Sequence, residues 1–165
     1  MSEPRPKPLR RNVCVVLTGT PEGRVLVFRR VGWRTLPNPW QFPQGGIEEG
    51  ETPLEGMHRE LKEEIGTDDV DVLKESPDPI VYEWPPDVVA LLEQERSKLT
   101  RFRGQEQTWF LARLRRGTEG IRFDHAPPEF DAFEWVTPAE AAARVVAFKR
   151  DAYRRGLTVL GLRPD

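Results

Sequence analysis

The segment between Thr52 and Gly66 constrains this chain most, because it reads as a helix with both ends and one face already specified. Thr52 can cap, Pro53 suits a first turn, and Glu55 completes a T-x-x-E capping box. Leu54, Met57, Leu61 and Ile65 recur at helical spacing and are expected to face a core, and Gly66 supplies the stop. A one-sided helix needs a covering layer. Strands are expected at 13–17 and 24–30, as a hairpin around TGTPEG, then at 70–73, 80–84, 108–114 and 133–136. Pro37, Pro39 and Pro43 make residues 34–43 loop or edge structure. A short helix is expected over 86–96, and a second capping box at Thr137 opens a helical region reaching Gly156 in one or two pieces. Strands with interspersed and terminal helices imply one layered α/β domain over 12–165. The Pro-rich, basic residues 1–11 are expected to form a flexible tail.

Composition narrows the function classes. The 165 residues suit a single domain, and eight Phe with five Trp argue against wholesale disorder. A single cysteine, Cys14, excludes a disulfide scaffold and a cysteine-based zinc module; set in an apolar strand, it reads as core. No run of 18 apolar residues exists, so no membrane association is expected, and MSEPRPKPLRR has no apolar region of a signal peptide. The expected compartment is the cytoplasm. Residues 45–95 hold 16 acidic and three basic residues, whereas the remainder holds 22 basic and 11 acidic. Both blocks can be solvated faces, but an acidic block also suits cations and basic flanks suit phosphates.

Spacing sharpens that choice. Glu60, Glu63 and Glu64 lie at i, i+3 and i+4 on one face of the expected helix, where like charges cost stability. A hard divalent cation such as Mg²⁺ compensates, since it takes carboxylates, waters and substrate phosphates as ligands. Glu51 and Arg59 can form a supporting ion pair.

The sequence here resembles the Nudix hydrolase family, whose signature is G-x5-E-x7-R-E-U-x-E-E-x-G-U with U a bulky apolar residue. Gly45, Glu51, Arg59, Glu60, Leu61, Glu63, Glu64, Ile65 and Gly66 match; Thr67 replaces the last apolar position. WQFPQGGI (40–47), GQEQTWFLARL (104–114), PPEFDAFEWV (127–136) and VVAFKRDAYRR (145–155) are similar to the branch of bacterial RNA 5′-pyrophosphohydrolases and asymmetric dinucleoside tetraphosphate hydrolases. The loop 34–39 and the segment around 86–101 look longer than in shorter bacterial members. The resemblance covers roughly 10–156. It implies an α/β/α sandwich with a mixed β-sheet, and Mg²⁺-assisted attack of water on a nucleoside polyphosphate, with Mn²⁺ as a substitute. It also implies that Glu60 binds metal or activates water, with Glu63 the other catalytic carboxylate. Glu63, Glu64 and Glu129 are implied as further metal ligands, with Gly45 contributing its carbonyl.

Other conspicuous residues have plainer readings. His58 and His125 lack companion ligands and are not expected to bind metal. Trp40 and Trp109 are expected to fill the core. Phe148 reads as core by composition, whereas the resemblance implies that it stacks on a nucleotide beside Lys149. Arg10, Arg29 and Arg30 are commonplace strand-edge arginines that also suit phosphate. The expected substrate is a triphosphorylated RNA 5′ end; the alternative is asymmetric cleavage of diadenosine tetraphosphate. DNA is not an expected partner. A non-catalytic nucleotide-binding regulator is the third reading, but such proteins typically lose carboxylates that are all present here.

Overall fold

The computed structural model describes residues 5–33 and 39–165. Its centre is a parallel pair, β1 (Leu9–Thr18) and β7 (Gly104–Leu114), in register from Leu9↔Gly104 to Thr18↔Arg113. Around them lie β2 (Val25–Arg30), β3 (Trp40–Gln41), β4 (Gln44–Gly46), β5 (Val70–Glu75), β6 (Ile80–Glu83) and β8 (Phe130–Val136), all paired antiparallel. The sheet is therefore mixed. Its backbone order is β3-β2-β1-β7-β5, with β4 on β1, β6 on β7 and β8 on β2.

Alternation along β1 divides two cores. Val13, Val15 and Leu17 pack on one face with Met57, Leu61 and Ile65 of α1 (Pro53–Ile65). Cys14 and Val16 pack on the other with Trp109 and with residues of α3 (Pro138–Arg144) and α4 (Arg150–Val159). Both faces of β1 are covered, which is why 13–17 reads as a continuous apolar run. A Cβ at Gly156 would overlap the Trp109 ring, so α4 rests on that indole through a missing side chain. The result is an α/β/α sandwich with four α-helices among the described residues, the fourth being α2 (Pro86–Gln94). None of these helices is long and apolar enough to cross a membrane.

Three differences from the sequence reading have local causes. β1 begins at Leu9, inside the stretch read as tail, because Leu9, Arg10 and Arg11 find parallel partners in Gly104, Gln105 and Glu106. Residues 1–4 and 34–38, including most of the loop noted as long, lie outside the described residues. Leu54, expected in the core, is 45% exposed; the first buried residue of α1 is instead Gly56.

Candidate active site

Local sequence grammar places α1 against β4. Thr52 Oγ1 accepts from Glu55 N at 3.1 Å, and Glu55 Oε1 accepts from Thr52 N at 3.1 Å. At the other end Gly66 adopts φ 76°, and its N–H bonds Lys62 O. With Met57, Leu61 and Ile65 committed to the sheet, Glu60 and Glu64 turn along the flank of α1 toward β4. Gly45 has no room for a side chain, because a Cβ there would overlap the Glu60 carboxyl. Gln44 N donates to Glu64 Oε2 at 3.4 Å.

Arg59 braces this edge. Its Nε and Nη2 reach Glu51 at 2.8 and 2.9 Å, Nη2 also reaches Gly46 O at 2.7 Å, and Nη1 reaches Glu60 Oε1 at 2.8 Å and Glu63 Oε2 at 3.3 Å. The Glu51–Arg59 pair suggested by the sequence is therefore bidentate. The Arg59 hydrogen bonds hold the Glu51 carboxyl down at about 2. Glu60 and Glu64 move the opposite way. Desolvation raises Glu60 despite Arg59, and raises Glu64 well above the carboxylate range, with Glu60 and Glu129 adding repulsion.

A cavity of about 660 Å³ meets this edge through Gln44, whose N–H bonds Glu64; Glu60, Glu64 and Glu129 are not among its lining residues. Arg10, Arg30, Gln44, Gln105 and Lys149 line it, together with the apolar Phe148, Trp84, Val88 and Leu91 and the acidic Asp87 and Glu95 of the α2 region. Lys149 is 5% exposed, and burial, with Arg30 nearby, lowers its pKa to about 8. The charges of Glu64 and Glu129 act on Lys149 in the other direction. Phe148 is half-buried, with Tyr82 and Trp84 rings at 6.2 and 6.4 Å. Its core reading and its ligand reading thus meet in one position: one side packs on rings, and the residue lines the cavity.

The expected residues divide as follows. Gly45, Glu60 and Glu64 come together, and Glu129, 3.1 Å from Arg30, is close enough to raise Glu64. Glu63 stands on the outer side of α1, its side chain 48% exposed. Arg10, Arg30, Phe148 and Lys149 share the cavity, but Arg29 is not among its lining residues. Arg29 bonds Asp131 at 2.9 Å and lies over Trp40 at 5.8 Å. The β2–β8 register shifts between Arg29 and Arg30, and such an irregularity re-aims a side chain. His58 and His125 bond Asp68 and Pro127 O. Missing from the sequence reading are Asn12, Tyr82, Gln105 and Gln107, a connected buried polar group of which Gln105 also lines the cavity. GQEQTWF, with Glu106 and Thr108 between and after its glutamines, looks like a solvent-exposed stretch, yet Gln105 and Gln107 are buried and bonded to Asn12, Tyr82 and Trp109.

The donor set suits a hard cation. Desolvation raises both Glu60 and Glu64, and the charge of Glu60 raises Glu64 further. A divalent cation between them would offset that cost better than two bare carboxylates can. Among the described residues, no three acidic, His or Cys side chains stand together as a group that could hold a metal ion. The protein ligands would therefore need water or substrate oxygens to complete the coordination.

Comparison with known proteins agrees with this architecture. The NUDIX domain matches residues 8–156. An RNA pyrophosphohydrolase of Psychrobacter cryohalolentis is 42% identical over 154 residues, covering 92% of this chain and 83% of the relative. That of Gluconacetobacter diazotrophicus is 39% identical over 160 residues, covering 93% and 92%. Among solved structures, the Escherichia coli dihydroneopterin triphosphate pyrophosphohydrolase superposes with a TM-score of 0.65 at 24% identity, covering 90% of this chain and 97% of that one. Nudix hydrolases generally use divalent metal ions. With the glycine strand, the braced glutamate helix and this match over nearly its whole length, the chain belongs to the Nudix hydrolase family.

Proposed function

We propose that this protein is a cytoplasmic, Mg²⁺-dependent hydrolase that removes pyrophosphate from triphosphorylated RNA 5′ ends. The observation that carries the reading is that Gln44, which bonds Glu64, lines one cavity together with Arg10, Arg30, Lys149 and Phe148. The names of the relatives at 39–42% identity support the RNA substrate. Glu60, Glu64 and Glu129, with the Gly45 carbonyl, would hold Mg²⁺, and Mn²⁺ would substitute. The bound ion supplies charge neutralisation at the phosphates and lowers the pKa of water. The chain's own groups do the rest. Arg10, Arg30 and Lys149 hold phosphate oxygens, and Phe148 stacks on a base. A carboxylate oxygen of Glu60, held by Arg59, takes the proton from the attacking water. Glu63, on the solvent side, assists through water.

The test is direct competition. With Mg²⁺, kcat/KM for triphosphorylated RNA is expected to exceed that for diadenosine tetraphosphate by at least ~10-fold, about 1.4 kcal/mol of transition-state preference, with pyrophosphate released. A reversed preference, with ATP and AMP as products, would replace the RNA reading with the dinucleoside one.

A further inference from the structure

We propose that Gln105 is a positioning residue for phosphate binding, fixing the Arg10 guanidinium at the cavity while touching no reacting atom itself. The proposal rests on the reading of this cavity as the polyphosphate site. Gln105 is 2% exposed, and its register partners are Arg10 on β1 and Tyr82 on β6. Its Oε1 accepts from Arg10 Nη1 at 3.0 Å and from Asn12 Nδ2 at 2.9 Å, while its Nε2 donates to the Tyr82 hydroxyl. Those partners define one orientation. Turning the amide over would set its NH₂ against two donors. Asn12 is fixed in turn, since its Oδ1 accepts from Gln107 Nε2 at 2.9 Å, and Gln107 Oε1 accepts from Trp109 Nε1 at 3.2 Å.

The guanidinium is held from its other side by an absence. A Cβ on Gly46 would lie 2.6 Å from Arg10 Nη2 and 2.9 Å from Cζ, so Arg10 occupies the space of a side chain that is not there. Gly45 does the same for Glu60. The two glycines alternate across β4 and thus keep a cation and a carboxylate on opposite sides of one strand. The Glu60 charge supports the Arg10 charge against the burial that opposes it. A free arginine side chain has several rotatable bonds to immobilise when it meets phosphate; here that ordering occurs on folding, so binding is spared the cost.

Gln105→Leu removes the acceptor. Gln105→Glu keeps oxygens for Arg10 and Asn12, and the Tyr82 hydroxyl can rotate to donate to it. In the free protein, arginine side-chain ¹⁵N NMR, assigned with Arg10→Lys, should show slowed rotation of the Arg10 guanidinium in wild type and Gln105→Glu. Gln105→Leu should show fast rotation. With triphosphorylated RNA, Gln105→Leu should raise KM roughly 10- to 100-fold, the loss of a hydrogen bond to a charged group, with a far smaller change in kcat. Gln105→Glu should recover most of that affinity, and Gln105→Leu should add nothing in an Arg10→Ala background. Wild-type KM in Gln105→Leu, no rescue by Gln105→Glu, or an additive double variant would each overturn the proposal. Melting curves check folding, and if Gln105→Leu does not fold, Tyr82→Phe should shift KM the same way by less. If wild type cleaves no triphosphorylated RNA, the functional reading fails, while the NMR arm still decides whether Gln105 fixes Arg10.

Discussion

Desolvation, with the charges of Glu60 and Glu129, holds the Glu64 carboxyl well above the ordinary carboxylate range. In the metal-free protein the folded state therefore keeps a proton that the unfolded chain releases near pH ~4.3. Between that pH and the raised value the folded state binds more protons, so its stability falls as pH rises. Glu64→Gln is neutral at every pH and escapes this loss. In chelator at pH 8 the variant should melt a few degrees above wild type, an advantage that shrinks at pH 5. With Mg²⁺ the same substitution should lower kcat by at least ~10²-fold, the scale of one preorganised electrostatic contact. Near wild-type turnover would remove Glu64 from the ligand set, and a lower metal-free melting point at pH 8 would contradict its raised pKa.

The elements differ in how far they could be read from local sequence. α1 was legible because its cap, stop and apolar stripe all lie within 15 residues, and its Glu spacing follows from the helix itself. β1 was only half legible: Leu9 to Arg11 become strand through partners more than 90 residues away. The same non-locality hid Gln105, and a register irregularity separated Arg30 from Arg29. At β4 neither glycine needs a left-handed conformation; each is small because a charged group from another element lies against it. Gly45→Ala tests this. The added methyl overlaps the Glu60 carboxyl, so kcat should fall at least ~10-fold, about 1.4 kcal/mol in transition-state terms, while circular dichroism stays unchanged. Full activity would mean that Glu60 moves without consequence and has no part in the chemistry.

Across the whole molecule, the site joins parts from both cores: carboxylates from the α1 side, and Phe148 and Lys149 from the segment between α3 and α4. Phe148→Ala separates substrate recognition from packing. If the ring stacks on a base at about 1–3 kcal/mol, kcat/KM for triphosphorylated RNA should drop roughly 5- to 150-fold. A nucleoside polyphosphate lacking that base should suffer less. Equal losses on both, with a large fall in melting temperature, would make Phe148 a purely structural residue leaning on Tyr82 and Trp84.

The α2 part of the cavity wall is built differently from the rest. No residue of α2 is buried, and Leu91 on its cavity side is 51% exposed. Its flanks border two hollows, the main cavity and a smaller one of about 260 Å³ lined by Val89, Leu92 and Arg103. With Val88, Val89 and Leu92 only partly buried against the core, α2 is expected to open without the global transition. Its amides are therefore expected to exchange with deuterium well before those of α1 and α4, and to slow when a non-hydrolysable RNA end fills the cavity. The width of the base-binding wall would then belong to the part of the protein that breathes most readily, so that bases of different size meet an adjustable partner alongside the Phe148 ring.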